Sequence, residues 1–210
     1  MVADSTSALI KRARDHDPTA IGELLNKYRD RLHRFVDIRM DDRLRGRIDP
    51  SDVIQEANLA ASRQMPDYFQ HAELPFYIWL RLIAAQKLVG LHRHHLHVKA
   101  RNARRDVRYF NARLPDASSE MLTAQLLART TGPSQAAIRA EQRCSLQEVL
   151  REMESADREI IVLRHFEQLS NSEAAMLMGC NESTTKTRHY RAIKRLKSIL
   201  VSMPEFRDLI

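Results

Sequence analysis

Apolar residues recur along this chain at steps of three and four, and nowhere alternate with polar ones over a length that argues a sheet. Ile21, Leu24, Leu25, Tyr28, Leu32, Phe35 and Val36 fall on one face of a helix. Asp17-Pro18 opens that helix with a capping carboxylate and a proline at the first helical position. Asp49-Pro50 repeats the device, and Asp52 stands where the acid of a capping box belongs. A loop is predicted from Met65 to Pro75, then a third helix from Phe76 to about His97. Between about 101 and 133 the periodicity weakens. Pro115, Asp116, Ser118, Ser119 and the run Thr130-Thr131-Gly132-Pro133 break it, with one short amphipathic piece from Met121 to Leu127 between them. The pattern predicts an all-α fold of two helical domains, 1–100 and 134–210, joined by a linker over 101–133 that holds at most a helical turn.

The second domain carries the clearest motif. Gln135 to Met153 and Asp157 to Glu167 read as two helices. Ser170-Asn171-Ser172-Glu173 is a capping box that starts a third, and Gly179 ends it, as a residue tolerant of positive φ does. Asn181 or Ser183 then caps a fourth helix to about Leu200. Two helices joined by a tight glycine-containing turn make a helix-turn-helix. In the fourth helix Thr185, His189, Ala192, Ile193, Leu196 and Ile199 form an inward stripe. Residues 181–198 hold six cations, Lys186, Arg188, Arg191, Lys194, Arg195 and Lys197, against the single acid Glu182. Ser183, Thr184 and Lys186 cluster at its N-terminus, the end that enters a major groove in this motif. There Ser and Thr reach phosphate or base, and Lys and Arg reach guanine edges. A solvated basic helix on a bundle would share the charge but not the capping box, glycine turn and second cap in register.

Composition narrows the classes. A chain of 210 residues is long enough for one or two domains with their own cores. Net charge of +7 points to a polyanionic partner. Five glycines are too few for Gly-rich nucleotide-binding folds, and Cys144 and Cys180 alone build neither a disulfide framework nor a four-Cys zinc site. Arg and Lys interrupt every apolar run before a spanning length, and the N-terminus lacks an apolar signal region, so a cytoplasmic location is expected. No Gly-rich phosphate loop, HExxH or nucleophile-elbow serine is present. The sequence therefore predicts a protein that is not an enzyme and takes no cofactor.

The first domain adds two features. In Asp49-Pro50-Ser51-Asp52-Val53-Ile54-Gln55-Glu56-Ala57, Val53, Ala57 and Ala60 can turn inward, which leaves Asp52, Gln55 and Glu56 outside. Acids favour a helix N-terminus through its dipole, but on a protein suited to DNA they can also mark a protein-binding surface. Further on, Tyr68, Phe69 and His71 precede Phe76-Tyr77-Ile78-Trp79-Leu80-Arg81, then Lys87, His92, Arg93, His94, His95 and His97. Aromatics beside cations suit unpaired bases, although Phe76, Trp79, Leu80 and Ile83 have the spacing of a core stripe. The histidines lack the carboxylate or cysteine partners of a zinc site, so no metal is expected.

These residues resemble the bacterial RNA polymerase sigma factors of the extracytoplasmic-function type. Asp49 to Glu56 looks like that family's region 2.2, and Phe76 to Ala84 like its region 2.3. Pro133-Ser134, Glu141, Leu150 and Arg158 to Arg164 look like region 4.1. Ser172 to Ala175, Ser183 to Arg188 and Arg191-Ala192 look like region 4.2. The resemblance implies a promoter-specificity subunit that directs transcription initiation on core RNA polymerase. It implies that Asp49, Asp52, Gln55 and Glu56 dock on the polymerase. It implies that Tyr68, His71, Ala72, Lys87, His92 and Arg93 meet the melted −10 element, the loop at 70–75 holding an extruded base. It implies that Ser183, Thr184, Lys186, Arg188 and Arg191 read the −35 element, and that an anti-sigma protein can be a further partner. The chain departs from the family pattern at Gln86 and Gly90, where Asn and Asp are usual, and at Thr185 and His189, where apolar residues are usual. A stand-alone helix-turn-helix regulator explains 134–210 equally well, but not the acidic helix followed by the aromatic, basic one. A polymerase-binding adaptor and a metal-dependent enzyme stand further off.

Overall fold

The computed structural model describes residues 2–15, 17–96, 114, 117–128, 136–204 and 206. Its chain divides into two compact units, Met1–Pro115 and Asp116–Ile210. Regular structure among the described residues is helical throughout.

The first unit holds α1 (Val2–Arg14), α2 (Pro18–Lys27), α3 (Arg29–Arg39), the single turn α4 (Asp42–Arg45), α5 (Pro50–Gln70) and α6 (Phe76–Leu96). Helix α6 is apolar around most of its circumference, and a helix of that kind belongs in the middle of a bundle. It packs on α3 and α5, with Phe76, Ile78, Leu80, Ile83, Ala84 and Leu88 buried. Helix α5 presents Val53, Ala57, Ala61, Met65 and Tyr68 to it. Arg81 is also buried, its guanidinium 4.4 Å from the centre of the Phe35 ring.

Two elements differ from the sequence reading. The helix expected across Ile21 to Val36 breaks at Tyr28, whose φ of −101° and ψ of 1° cap α2. The break turns the Tyr28 ring onto Tyr77, 5.4 Å between centres, and its hydroxyl lies 3.0 Å from Thr6 on α1. Helix α5 runs through Pro66 to Gln70, where a loop was expected from Met65. A proline inside a helix costs about 3 kcal/mol. Burial of Met65 and Tyr68, which continue the inward stripe, offsets it.

Asp17 caps α2 as expected. Its Oδ1 accepts from the Thr19 amide at 2.9 Å and the Thr19 hydroxyl at 2.8 Å, and Arg12 pairs with its Oδ2 at 2.6 Å. These hydrogen bonds, the Thr19 ones first, hold the carboxyl down from 3.8 to about 2. A carboxyl depressed on folding stabilises the fold above its ordinary range and ceases to as pH falls through its folded value. Asp17→Asn is therefore expected to lower the urea midpoint at pH 7 and to remove part of the fall in midpoint between pH 4 and pH 2. Parallel acid limbs in the variant and the parent would refute this role.

The second unit begins with α7 (Ser119–Ala128), followed by α8 (Ala136–Glu152), α9 (Ser155–Ile161), a π-helical turn Val162–Phe166, α10 (Asn171–Met178) and α11 (Glu182–Ser202). Helix α7 lies in the stretch expected as a linker, much of which is outside the described residues. It is a full helix packed on α8, not a single turn. Ser118 Oγ accepts from the Met121 amide at its start, Leu122 and Thr123 are buried, and Glu120 pairs with Arg143 of α8 at 3.1 Å.

Candidate nucleic-acid interface

In the second unit the sequence sets the turn between α10 and α11 residue by residue. Ser170 Oγ accepts from the Glu173 amide at 3.0 Å, and Glu173 Oε2 accepts from the Ser170 amide at 2.7 Å. Gly179 ends α10 at φ 65°, in the left-handed region where a Cβ would be strained. Of the two expected caps for α11 the structure selects Asn181, whose Oδ1 accepts from the Thr184 amide at 2.7 Å. That leaves the Ser183 and Thr184 hydroxyls outside the cap, and both residues are exposed.

Helix α11 packs on α9 and α10 through Thr185, Ala192 and Leu196, all buried. The Thr185 hydroxyl, a departure from the apolar pattern, is satisfied by donating to the Asn181 carbonyl at 3.1 Å. His189, the other departure, sets its Nε2 2.8 Å from His165 Nε2 on the π-helical turn. Burial, then the charges of His165 and Arg164, push the His189 imidazole below its ordinary value, so it is neutral at pH 7. A neutral hydrogen-bonded ring takes the place of an aliphatic side chain there.

The opposite side of α11 is open. Ser183, Thr184, Lys186, Thr187 and Arg191 are exposed and Arg188 is half-buried. Lys186 pairs with Glu182 at 2.8 Å, both well exposed, a contact worth about 0.3–0.5 kcal/mol that yields easily to phosphate. A groove of about 490 Å³ runs along this end of α11, lined by Ser183, Thr184, Thr187, Arg188, Arg191 and Arg195, with Glu154 and Asp157 from the start of α9. The four exposed or half-exposed residues Thr184, Thr187, Arg188 and Arg191 thus line one groove together with two carboxylates. Sequence reading missed Thr187 and the 67% exposed Tyr190. Both fall one or two helical steps from residues it did select, which was the available signal.

The first unit presents two surfaces. On α5, Asp49, Asp52, Gln55 and Glu56 are all exposed, and Leu59, 51% exposed, continues the stripe one turn on. The first two also hold the helix end. Asp49 accepts from the Ser51 amide at 2.7 Å, which holds its carboxyl below the ordinary range, and Asp52 accepts from the Asp49 amide at 3.3 Å. Glu56 pairs with Lys87 of α6 at 3.2 Å.

The second surface is a cavity of about 540 Å³ where α5 ends and α6 begins. Tyr68 and Trp79 form one wall, their ring centres 4.6 Å apart, over Leu82 and Ile83. Gln64, Asp67, His71, Glu73, Leu74 and Gln86 complete the lining. Of the residues expected near −10 DNA, His71, Ala72 and Arg93 are exposed and Lys87 is half-buried. Two are buried. Tyr68 donates its hydroxyl to the Leu74 carbonyl at 3.1 Å and is a wall, not a free side chain. His92 turns inward, and burial lowers its pKa despite the opposing charge of Asp41. His94 is exposed, while the His95 side chain and His97 lie outside the described residues. Among the described residues no group of three or more His, Cys, Asp and Glu is placed to hold a metal. Gln86, a departure in sequence, lines the cavity. Gly90 is an exposed helical residue with open space around it.

The second of the two helical units carries a helix-turn-helix, a motif that in many proteins docks on duplex DNA. Residues 145–196 match the family model for sigma-70, region 4. The chain is 29% identical over 206 residues to the ECF RNA polymerase sigma factor SigD of Mycobacterium tuberculosis, covering 98% of this chain and 89% of that one. It is 28% identical to the ECF RNA polymerase sigma factor BldN of Streptomyces coelicolor, covering 94% of this chain and 68% of that one. The solved structure of CnrH, in complex with the cytosolic domain of CnrY, shares the fold, with a TM-score of 0.52 and 20% identity over 93% of this chain and 96% of that one. Over nearly its whole length the chain is thus similar to RNA polymerase sigma factors of the extracytoplasmic-function type. Among the described residues no helix is long and apolar enough to cross a membrane.

Proposed function

We propose that this chain is a sigma factor of the extracytoplasmic-function type that joins core RNA polymerase through the exposed face of α5, reads the −35 element with the N-terminal half of α11, and takes melted −10 DNA at the surface where α5 meets α6. The observation that carries the reading is the open face of α11: a helix capped by Asn181, buried on one side and presenting Ser183, Thr184, Thr187, Arg188 and Arg191 on the other. Such an arrangement lets hydroxyls find phosphates while guanidinium groups reach base edges. Polymerase performs the chemistry, and this chain supplies sequence reading without a cofactor. Promoter DNA and core polymerase are its partners in the cytoplasm, with an anti-sigma protein as the partner that would hold it inactive. Tethering two DNA-contacting units to one polymerase raises the effective concentration of each for its element, which allows either unit to be only mildly basic.

The test is co-elution with bacterial core polymerase on gel filtration at moderate salt. A one-to-one complex is expected. A homodimer that binds duplex DNA alone, with no complex, would refute the reading in favour of a stand-alone regulator. The docking surface is tested by Gln55→Arg with Glu56→Arg, which leaves the Asp49–Asp52 cap intact. The Lys87 contact that Glu56 gives up is exposed and worth at most about 1 kcal/mol. Helix content should therefore stay at the parent level while polymerase affinity falls at least about tenfold, as charge reversal at an interface predicts. Unchanged affinity would remove α5 as the docking face.

A further inference from the structure

His165 and His189 meet in a contact that tolerates only one added proton. Their Nε2 atoms lie 2.8 Å apart and their ring centres 4.9 Å apart. A hydrogen bond at that distance needs one Nε2–H donor and one bare Nε2 acceptor. If one ring is protonated, it becomes the donor and the bond survives. If both are protonated, no acceptor is left and two cations face each other. His189 is one of the positions at which this chain departs from the apolar pattern of the family it resembles. His165 sits on the π-helical turn Val162–Phe166, and such turns are rare and cluster at functional sites. His189 lies on α11 between the buried Thr185 and Ala192. The contact therefore ties to the π-helical turn the stretch of α11 that carries Arg188 and Arg191.

The surroundings oppose the second proton. The charges that act on His189 are those of His165 and Arg164, both on the π-helical turn, and burial acts in the same direction. Among the described residues no carboxylate of α8, α9 or α10 acts on it. Glu154 and Asp157 of α9 line the groove with Arg188 and Arg191. Glu167 is buried at the end of the π-helical turn, and Glu173 of α10 accepts from the Ser170 amide in its capping box. We propose that His165 and His189 are positioning residues for the reading face of α11, and that acid releases their hold, so that recognition of duplex DNA weakens as pH falls through the ordinary histidine range. The inference rests on the proposed function, in which α11 reads the −35 element. Its direction is opposite to that of exposed histidines, whose added charge tightens binding to phosphate. Separated rings take two protons and joined rings one. The contact is therefore at full strength above the ordinary histidine value, and the separated form gains about tenfold between pH 7.5 and pH 5.5 for rings that titrate near 6.5.

The test compares the parent with His189→Gln. A glutamine Oε1 accepts whatever proton His165 donates, and the amide itself does not titrate. Hydrogen exchange of the α11 amides is followed by mass spectrometry in full-length protein at pH 7.5 and pH 5.5, parent against variant at the same pH. Equal exchange at pH 7.5 is expected, and at pH 5.5 exchange in the parent at least about threefold faster than in the variant. Holoenzyme affinity for a −35 duplex should follow, equal at pH 7.5 and at least about threefold tighter for His189→Gln at pH 5.5. His165→Gln should behave in the same way, because release needs both rings charged, and a merely structural role for either residue would give no such pH profile. Parent and variants that keep the same exchange ratio at both pH values would overturn the release. Faster exchange in the parent at pH 5.5 without a matching loss of duplex affinity would overturn the positioning role. Holoenzyme that does not prefer the −35 duplex to a scrambled one at pH 7.5 overturns the proposed function instead, and hydrogen exchange then decides the contact by itself.

Discussion

Arg188→Ala and Arg191→Ala are each expected to weaken binding of the cognate −35 duplex by about 1–3 kcal/mol, with much smaller losses on a scrambled duplex. Both guanidinium groups lie along the groove that Glu154 and Asp157 also line. The planar fork of a guanidinium matches the two acceptors of guanine, and the neighbouring Ser183 and Thr184 hydroxyls can take phosphate. Lys194 is exposed further along α11 and does not line that groove. Lys194→Ala should instead lower affinity equally on both duplexes and reduce the salt dependence by about one phosphate contact. The measurement is competition between cognate and scrambled duplexes for holoenzyme at several salt concentrations. Equal losses on the two duplexes for Arg188→Ala and Arg191→Ala would make these residues phosphate contacts and move sequence reading elsewhere on the helix.

Phe35→Ala should produce the largest loss of stability in the first unit, about 3–5 kcal/mol. The ring is fully buried between α3 and α6. Removing it leaves a cavity that the surrounding helices fill only in part, and it uncovers one face of the buried Arg81 guanidinium. A buried charge that loses its covering costs more than a lost methylene, because its desolvation is no longer offset. Leu59→Ala is the matched control. It removes a large apolar side chain from an exposed position and should change stability by no more than about 0.5 kcal/mol. Urea unfolding followed by circular dichroism reads both. A Phe35→Ala loss under about 1 kcal/mol would mean that α3 and α6 close over the space, and that Arg81 relies on its other contacts.

Local chemistry made much of this protein legible. Asp17, Asp49, Ser170 and Gly179 each do in the structure what their residue type and neighbours predicted, because a cap or a left-handed turn involves atoms within three or four residues of one another. The exposed faces of α5 and α11 followed from the three- and four-residue steps of their buried partners. The misreadings lie where distant contacts override local preference. Tyr28 breaks a periodic helix because rings on α6 take it, and Pro66 stays inside α5 because Met65 and Tyr68 gain more from burial than the proline costs. Tyr68 and His92 have the composition of nucleic-acid contacts; His92 turns inward, and Tyr68 is fixed in the wall of a cavity with its hydroxyl donating to the Leu74 carbonyl.

From residue order alone come the all-helical class, the helix-turn-helix, the acidic start of α5 and the family resemblance, since each is written in spacings of a turn or two. Tertiary structure decided which of those side chains remain available. It joined Gln64 and Asp67 at the end of α5 to Glu73 in the following loop and Gln86 of α6 around one aromatic wall, and it set Glu154 and Asp157 beside Arg188 and Arg191. Those groupings bring together residues 6 to 37 positions apart in the sequence. No periodicity encodes them, because it is helix packing, not helix formation, that sets which faces meet.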